Sequence, residues 1–190
     1  LDECGYCFRA GHKIRLVVGT AYWPLVLPLA YNSRLTLHCD ENSALALPLL
    51  GEHQRIEVPE PENWNPFPEY IMHVGGYTRR WVEQDLQTGL THYHLLDDTG
   101  LSEHPEMGWQ SREVREEAYR IRPDDPLSAV CTATHRAHRN YDGRELEVIA
   151  STELQLQECE FVMAWSLQVK EDGNELFSRS GNEVVKREWI

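Results

Sequence analysis

Two histidines separated by one residue, His92 and His94, have the spacing that comes nearest to a metal site in this sequence. Alternate side chains of a β-strand point to the same face of a sheet, so the two imidazoles would lie side by side. Neutral imidazole is a common ligand of zinc and other transition metals. The pair could supply part of a metal site if the strand carried further ligands.

Those further ligands are missing from the neighbouring sequence. In cupin-type jelly rolls, a glycine precedes the first histidine by six residues and a glutamate follows the second by four or five. Here those positions hold Leu86, and Asp98 or Thr99. We therefore predict that the two histidines line a solvated strand face. A metal-dependent jelly-roll enzyme is kept as an alternative.

The cysteines do not indicate a second metal site. Cys4 and Cys7 form a CxxC pair, but a structural zinc site needs two further ligands at similar spacing, and the sequence has no second such pair. The five cysteines are an odd, scattered set, which favours reduced thiols in a cytoplasmic protein over a disulfide framework. We expect neither a bound metal nor a cofactor.

Motifs for covalent catalysis are also missing. A serine nucleophile elbow reads G-x-S-x-G, whereas Ser178 stands where Ser180 would need a glycine. Paired carboxylates at 97–98, 116–117 and 124–125 are expected to be solvated in turns or polar strands. The sequence therefore predicts no catalytic residue in this chain.

Charge and hydropathy argue against two classes of partner. The 190 residues include 18 basic and 31 acidic side chains, a net charge of −13, which disfavours binding to nucleic acid or phosphate. No apolar run approaches the roughly 20 residues that cross a bilayer. We expect neither a nucleic acid nor a membrane as partner.

The elements that would position these residues begin with the segment Gly11–Pro28. Ile14, Leu16 and Val18 alternate with Arg15 and Val17, and this period of two predicts a strand with one buried face. An aromatic corner follows, in which Trp23 is expected to be largely buried. Such a corner is typical of the end of a β-sandwich core.

Two hairpins are predicted in the middle of the chain. The first pairs 34–39 with 43–50, and the second pairs 77–85 with 91–97 around a turn near Gly89. The Pro-rich stretch 59–68 between them carries Trp64 and Phe67. It is expected to cross the domain surface with these rings as anchors, the alternative being a linker.

A further turn is predicted at 98–100 and a sharp break at 123–126. Between them, residues 109–121 are expected to form a polar strand, with a short helix as the alternative. The chain then alternates over 145–157 and 161–169, bounded by the turn dipeptides at 142–143 and 172–173. The pattern predicts an all-β sandwich for the whole chain.

Several short motifs, in order, resemble the C-terminal domain of Xaa-Pro dipeptidyl-peptidase and cocaine-esterase (CocE/NonD) serine hydrolases. In that family a G-H-R-I-R-L strand leads to a Y-W-P corner. The corresponding residues here are Gly11-His12-Lys13-Ile14-Arg15-Leu16 and Tyr22-Trp23-Pro24, followed by Asp85-Leu86-Gln87-Thr88-Gly89, Asp124-Asp125-Pro126-Leu127-Ser128-Ala129 and the final meander.

The resemblance implies a jelly-roll β-sandwich, similar to galactose-binding domains, with residues 1–190 as one domain of a longer hydrolase. Its partner would be the α/β-hydrolase catalytic domain of the same polypeptide, which carries the family's Ser-Asp-His triad, so no catalytic residue transfers to this chain. Two departures are that some N-terminal strands would be missing, and that Gly181 and Lys186 stand where the family's last strand has Trp and Pro.

We therefore expect a non-catalytic accessory domain that supports a hydrolase domain, its substrate pocket or an oligomer contact, with a homo-oligomer as a further possibility. The alternative is a free-standing carbohydrate-binding β-sandwich. In that case Trp64, Trp81 or Trp109 would provide the stacking platform.

Overall fold

The chain folds into one antiparallel sheet of seven long strands. The computed structural model describes residues 6–49, 57, 59 and 69–188. Its strands are β1 (Ile71–Gln84), β2 (Thr91–His104), β3 (Trp109–Arg122), β4 (Asp125–Tyr141), β5 (Arg144–Leu156), β6 (Glu160–Glu171) and β7 (Asn174–Lys186). The described residues include no helix, so the all-β prediction is confirmed. The fold is consistent with a β-sandwich or jelly-roll-like class, although the sheet is open.

Each strand pairs with the next one along the chain, so the sheet is a simple meander from β1 to β7. The turns between β4 and β5 and between β6 and β7 are Asp-Gly pairs, as predicted. Asp142 and Gly143 have φ angles of 51° and 74°, and the corresponding angles at Asp172 and Gly173 are 49° and 78°. Two successive positive φ angles define the type I′ turn, whose twist matches that of paired strands.

The second predicted hairpin and the polar strand after it are confirmed. β1 and β2 are joined by a loop in which the Asp85 carboxylate accepts backbone N–H bonds from Gln87 (2.8 Å) and Thr88 (3.0 Å). These bonds lower the pKa of Asp85. The segment predicted as strand or short helix is β3, which is hydrogen-bonded to strands on both sides.

The prediction of a turn at 98–100 is wrong. These residues lie inside β2, where the register with β3 shifts between Asp98 and Ser102, and Gly100 has a φ of 75°. The chain reverses later, at 105–108. An Asp-Thr-Gly sequence suits a turn, but here the positive φ of the glycine forms a β-bulge within the strand.

Two strand predictions in the N-terminal part are also wrong. Residues 14–18 form no strand. Of the predicted hairpin 34–50, the described residues 34–49 contain only the turn, where Ser43 N–H donates to the Asp40 carbonyl. Alternation sets which face a strand would bury, but a strand exists only where a neighbour pairs with its backbone. Trp64 and Phe67 lie outside the described residues.

Residues 23–32 are nevertheless attached to one end of the sheet. The Trp23 ring meets Tyr119 edge to face, with centroids 6.0 Å apart. Arg187 donates to the carbonyl of Pro28 (2.7 Å), and Asn32 donates to the carbonyl of Asp124 (2.5 Å). Trp23 is partly buried, and its indole Nε1 is shielded from solvent.

The two apolar runs predicted from the sequence lie on the same face of the sheet. Register pairs Val148 with Val169 and Leu154 with Met163, and directly opposite residues share a face. We call this surface the apolar patch. Its members are Leu146, Val148, Leu154, Leu156, Phe161, Met163, Trp165, Leu167, Val169, Phe177 and Val185.

Among the described residues, no strand or helix lies over the apolar patch. Segment 23–32 reaches this side of the sheet at one end only, where Arg187 lies over the Phe161 ring and Leu156 is buried. Of the apolar side chains that the structure describes, only Pro28, Ala129, Val130 and Leu156 are buried. The chain exposes 16155 Å², whereas a compact protein of this mass exposes about 9,300 Å². Two features of the described residues contribute to this excess: the open sheet contacts solvent on both faces, and the segment 6–49 is mostly exposed.

We predict that Gly100→Ala destabilises the fold by about 2–4 kcal/mol, through strain at positive φ and overlap with a neighbouring backbone. A Cβ atom at Gly100 would lie 2.6 Å from the nitrogen of Gly76, across the β1–β2 ladder. Urea unfolding at neutral pH measures the loss. Gly75→Ala is the matched control, because a Cβ atom there meets no atom within 4 Å. Equal losses in the two variants would contradict the bulge geometry.

Candidate functional site

His92 and His94 project from the same face of β2, as their spacing predicts. This face is opposite to the apolar patch. Their rings are stacked, with centroids 5.7 Å apart and planes inclined by 8°. His94 also stacks on Trp81 of β1 at 4.7 Å, and the guanidinium of Arg79 lies 4.6 Å from the Trp81 centroid. The four side chains form a continuous row across the edge of the sheet, which we call the stacked row.

The stacked row does not have the geometry of a metal site. Nε2 of His94 is buried without a hydrogen-bond partner, and its nearest carboxylate oxygen belongs to Glu83, 3.7 Å away. Glu83 already accepts a bond from Trp81 Nε1 at 2.9 Å. In the described part of the chain, no three His, Cys, Asp or Glu side chains are grouped to hold a metal ion.

The row is a packing feature that stabilises the β1–β2 pair. Offset stacking of aromatic rings and a guanidinium over an indole each contribute about 0.5–1.5 kcal/mol. The alternate spacing of His92 and His94 places both rings on one face of β2, whether or not they bind a metal. Trp81 of β1 lies directly opposite His94 in the register, so its ring can stack on the same row.

The tryptophans proposed as sugar platforms are engaged by other side chains. Trp81 belongs to the stacked row. Trp109 lies between His104, at 5.2 Å, and Arg139, at 4.9 Å, measured to the ring centroid. Sugar stacking needs an open ring face. Trp64, the third candidate, is outside the described residues.

One of the carboxylates expected to be solvated is buried. Asp98 is 4% exposed and faces Arg112 of β3. Its Oδ1 accepts from Arg112 Nε (3.0 Å) and from Gly100 N–H (2.9 Å), and its Oδ2 accepts from Arg112 Nη2 (2.5 Å). The bidentate pair therefore ties the β-bulge to β3, with the glycine supplying a third bond.

This geometry fixes the ionisation of the pair. Hydrogen bonds from Arg112 and Gly100 stabilise the charged carboxylate more than burial opposes it, so the pKa of Asp98 lies below its usual range. The pKa of Arg112 is raised by the same carboxylate. A carboxylate held ionised by a fixed guanidinium is structural and is poorly suited to proton transfer.

Asp97 and Asp124 are accessible to solvent, as predicted from the sequence, whereas Glu117 is 20% exposed and accepts a hydrogen bond from Tyr119. Asp97, on the other face of β2, accepts from the Thr78 hydroxyl at 2.7 Å and stays 40% exposed. Asp124 lies in the turn before β4 with a φ of 58°. Neither is grouped with a second carboxylate and a base in a cleft.

A tyrosine and a cysteine face each other between β3 and β4, on the side of the apolar patch. Tyr119 donates to Glu117 at 2.6 Å, and burial together with this bond raises the pKa of Tyr119. Burial also raises the pKa of the Cys131 thiol. A nucleophilic cysteine needs a lowered pKa, whereas these surroundings favour the protonated thiol of Cys131.

A serine–histidine cluster between β2 and β3 was missed by the sequence reasoning. Nε2 of His104 lies 3.4 Å from Ser102 Oγ and 3.5 Å from Ser111 Oγ. Catalytic serine–base hydrogen bonds are about 2.6–3.2 Å and are supported by a third group that orients the base. The two serines bond each other at 3.0 Å instead. The alternation of Ser102 and His104 on one face was the available signal.

Comparison of the chain with models of known protein families, with curated proteins and with solved structures finds no match. Among the described residues there is also no helix long and apolar enough to span a membrane.

We predict that Asp98→Asn lowers the free energy of unfolding by about 1–3 kcal/mol at pH 7, because Arg112 loses its ionised partner. The folded-state pKa of Asp98 is lowered. Its stabilisation is therefore complete above the unfolded pKa of about 4, and is lost as pH falls through the folded pKa. The difference between wild type and variant should shrink below about pH 4.

Urea unfolding followed by circular dichroism at several pH values measures this difference. Asp97→Asn is the matched control, since a surface ion pair contributes about 0–1 kcal/mol. A loss for Asp98→Asn that stays constant into acid would contradict the assigned ion pair.

Proposed function

We propose that this chain is a non-catalytic accessory domain of a serine hydrolase that acts on peptide or acyl-ester bonds, of the Xaa-Pro dipeptidyl-peptidase or cocaine-esterase type. The observation that carries the proposal is the apolar patch on an open sheet. The order of the motifs around Gly11–Pro28, Asp85–Gly89 and Asp124–Ala129 supplies the class of hydrolase.

An apolar sheet face is stable only when a second layer covers it. Patch residues on the outer strand remain accessible, with Phe177 46% and Val185 52% exposed. In the proposed arrangement, the α/β-hydrolase domain of the same polypeptide packs against this patch. The accessory domain then helps to shape the entrance of the substrate pocket.

The remaining chemistry fits a supporting role. Two of the carboxylates with a lowered pKa are held in structural ion pairs, Asp98 by Arg112 and Glu113 by Arg139 (2.6 Å). The proposal includes a cytoplasmic location, for which the odd set of five cysteines is the support.

We predict that the chain alone hydrolyses neither Xaa-Pro-p-nitroanilide nor p-nitrophenyl acetate above the buffer rate, because the triad belongs to the other domain. A fluorophosphonate probe should leave the chain unlabelled. Ser180→Ala is the control for background turnover at the one serine–glycine pair of β7. Hydrolysis that is blocked by the probe would contradict the proposal.

We predict that Leu167→Arg has different effects on the isolated chain and on the hydrolase that contains it. Leu167 faces outward from β6 on the apolar patch. In the isolated chain the substitution should cost about 1 kcal/mol of packing. Under a hydrolase domain it would bury an unpaired charge, at about 3–5 kcal/mol.

Thermal unfolding of both forms measures the two effects. Gln168→Arg, on the opposite face, is the matched control and should have little effect in either form. Equal effects of Leu167→Arg in the two forms would contradict docking through the patch.

A further inference from the structure

The two outer strands of the sheet differ in how their free edges are protected. β1 contains a register shift between Met72 and Val74 and carries the adjacent cations Arg79 and Arg80. Bulges and positive charges are the usual devices that prevent an edge from pairing with another chain. β1 is therefore a protected edge.

β7 has an unprotected edge. From Phe177 to Val185 it follows β6 without a register shift. This stretch contains no proline, and its single cation, Arg179, is balanced by the anion Glu183. Nine residues of extended strand offer about 27 Å of unpaired backbone donors and acceptors. Such an edge is a template for antiparallel pairing.

The side chains of β7 alternate in a self-complementary pattern. On the side of the apolar patch the order is Phe177, Arg179, Gly181, Glu183 and Val185. This order is symmetric about Gly181, with one cation and one anion equally distant from it and an apolar residue beyond each.

We propose that two copies of this chain form a dimer by antiparallel pairing of β7 with β7 of the second copy, about a two-fold axis at Gly181. In this register Arg179 faces Glu183 of the partner subunit, and Phe177 faces the partner subunit's Val185. The symmetry of the axis makes each contact twice. The pairing is independent of the proposed hydrolase function.

Neighbouring registers lack this match. An axis at Arg179 or at Glu183 would place like charges directly opposite each other, which destabilises a strand pair. An axis at Ser180 would set Phe177 against the partner's Glu183. Only the axis at Gly181 pairs opposite charges and apolar side chains together.

Packing within the sheet requires a glycine at position 181. A Cβ atom at Gly181 would lie 2.9 Å from Cζ2 of Trp165, whose ring covers this point of β7. The guanidinium of Arg179 lies 5.6 Å from the centroid of the same ring. Pairing at Gly181 brings the two Trp165 rings and their flanking arginines to the centre of a fourteen-stranded sheet and makes the two apolar patches continuous.

Charge exchange tests the pairing and its register together. Sedimentation velocity over about 1–100 μM, the range of weak specific dimers, should show a monomer–dimer equilibrium for the chain. Arg179→Glu and Glu183→Arg should each weaken association by about tenfold or more, because two like-charged contacts form in each dimer. The double variant should restore it.

An equimolar mixture of the two single variants should also dimerise, since both contacts in the mixed dimer join a glutamate to an arginine. Arg80→Glu on β1 is the control and should leave association unchanged. Far-UV circular dichroism checks that each variant retains its sheet.

A chain that stays monomeric would overturn the proposal, as would a mixture that associates no better than its components. Assembly that grows beyond the dimer would indicate pairing of β1 with β7 and would also overturn it.

Discussion

The hydrogen-bond ladder between neighbouring strands is the interaction on which the rest of this structure depends. Six consecutive antiparallel pairings hold seven strands in one sheet, while few apolar side chains in the described residues are fully buried. Cross-strand contacts then replace a core as the source of side-chain stabilisation. The stacked row between β1 and β2 and the Asp98–Arg112 pair between β2 and β3 are examples. A molecule built this way exposes two sheet faces and two strand edges. Docking of a hydrolase domain on the apolar patch would use one face, and pairing through β7 would use one edge.

Local signals were sufficient for most of the sheet. The Asp-Gly dipeptides at 142–143 and 172–173 require positive φ and give tight hairpins, and the alternation over β5 and β6 sets which face is apolar. Non-local requirements explain the failures. Residues 14–18 and 34–49 have the period of a strand but no partner ladder among the described residues, and sequence periodicity does not supply one. The Asp-Thr-Gly bulge in β2 was mistaken for a turn because both use a glycine at positive φ.

The candidate site was predictable in its side-chain directions and not in its contacts. The shared face of His92 and His94 follows from the period of two, but the ring that stacks on His94 belongs to another strand and depends on register. Asp98 is buried by an arginine fourteen positions away, which the sequence near Asp98 does not indicate. The symmetry of β7 about Gly181 can be read from alternate residues, but the pairing order is needed to show that β7 is an outer strand and that these residues lie on the side of the apolar patch.

The central claim is that the apolar patch of the isolated chain faces solvent. Hydroxyl-radical footprinting at concentrations where the chain is monomeric tests it directly, because oxidation rates report the accessibility of individual side chains. The account predicts that Phe161, Met163 and Trp165, once each rate is corrected for the intrinsic reactivity of its residue type, are less protected than Leu156 and more protected than Phe177 on the outer strand. Protection of these three residues to the level of the buried Leu156 would contradict it, because that would require a closed second layer within this chain.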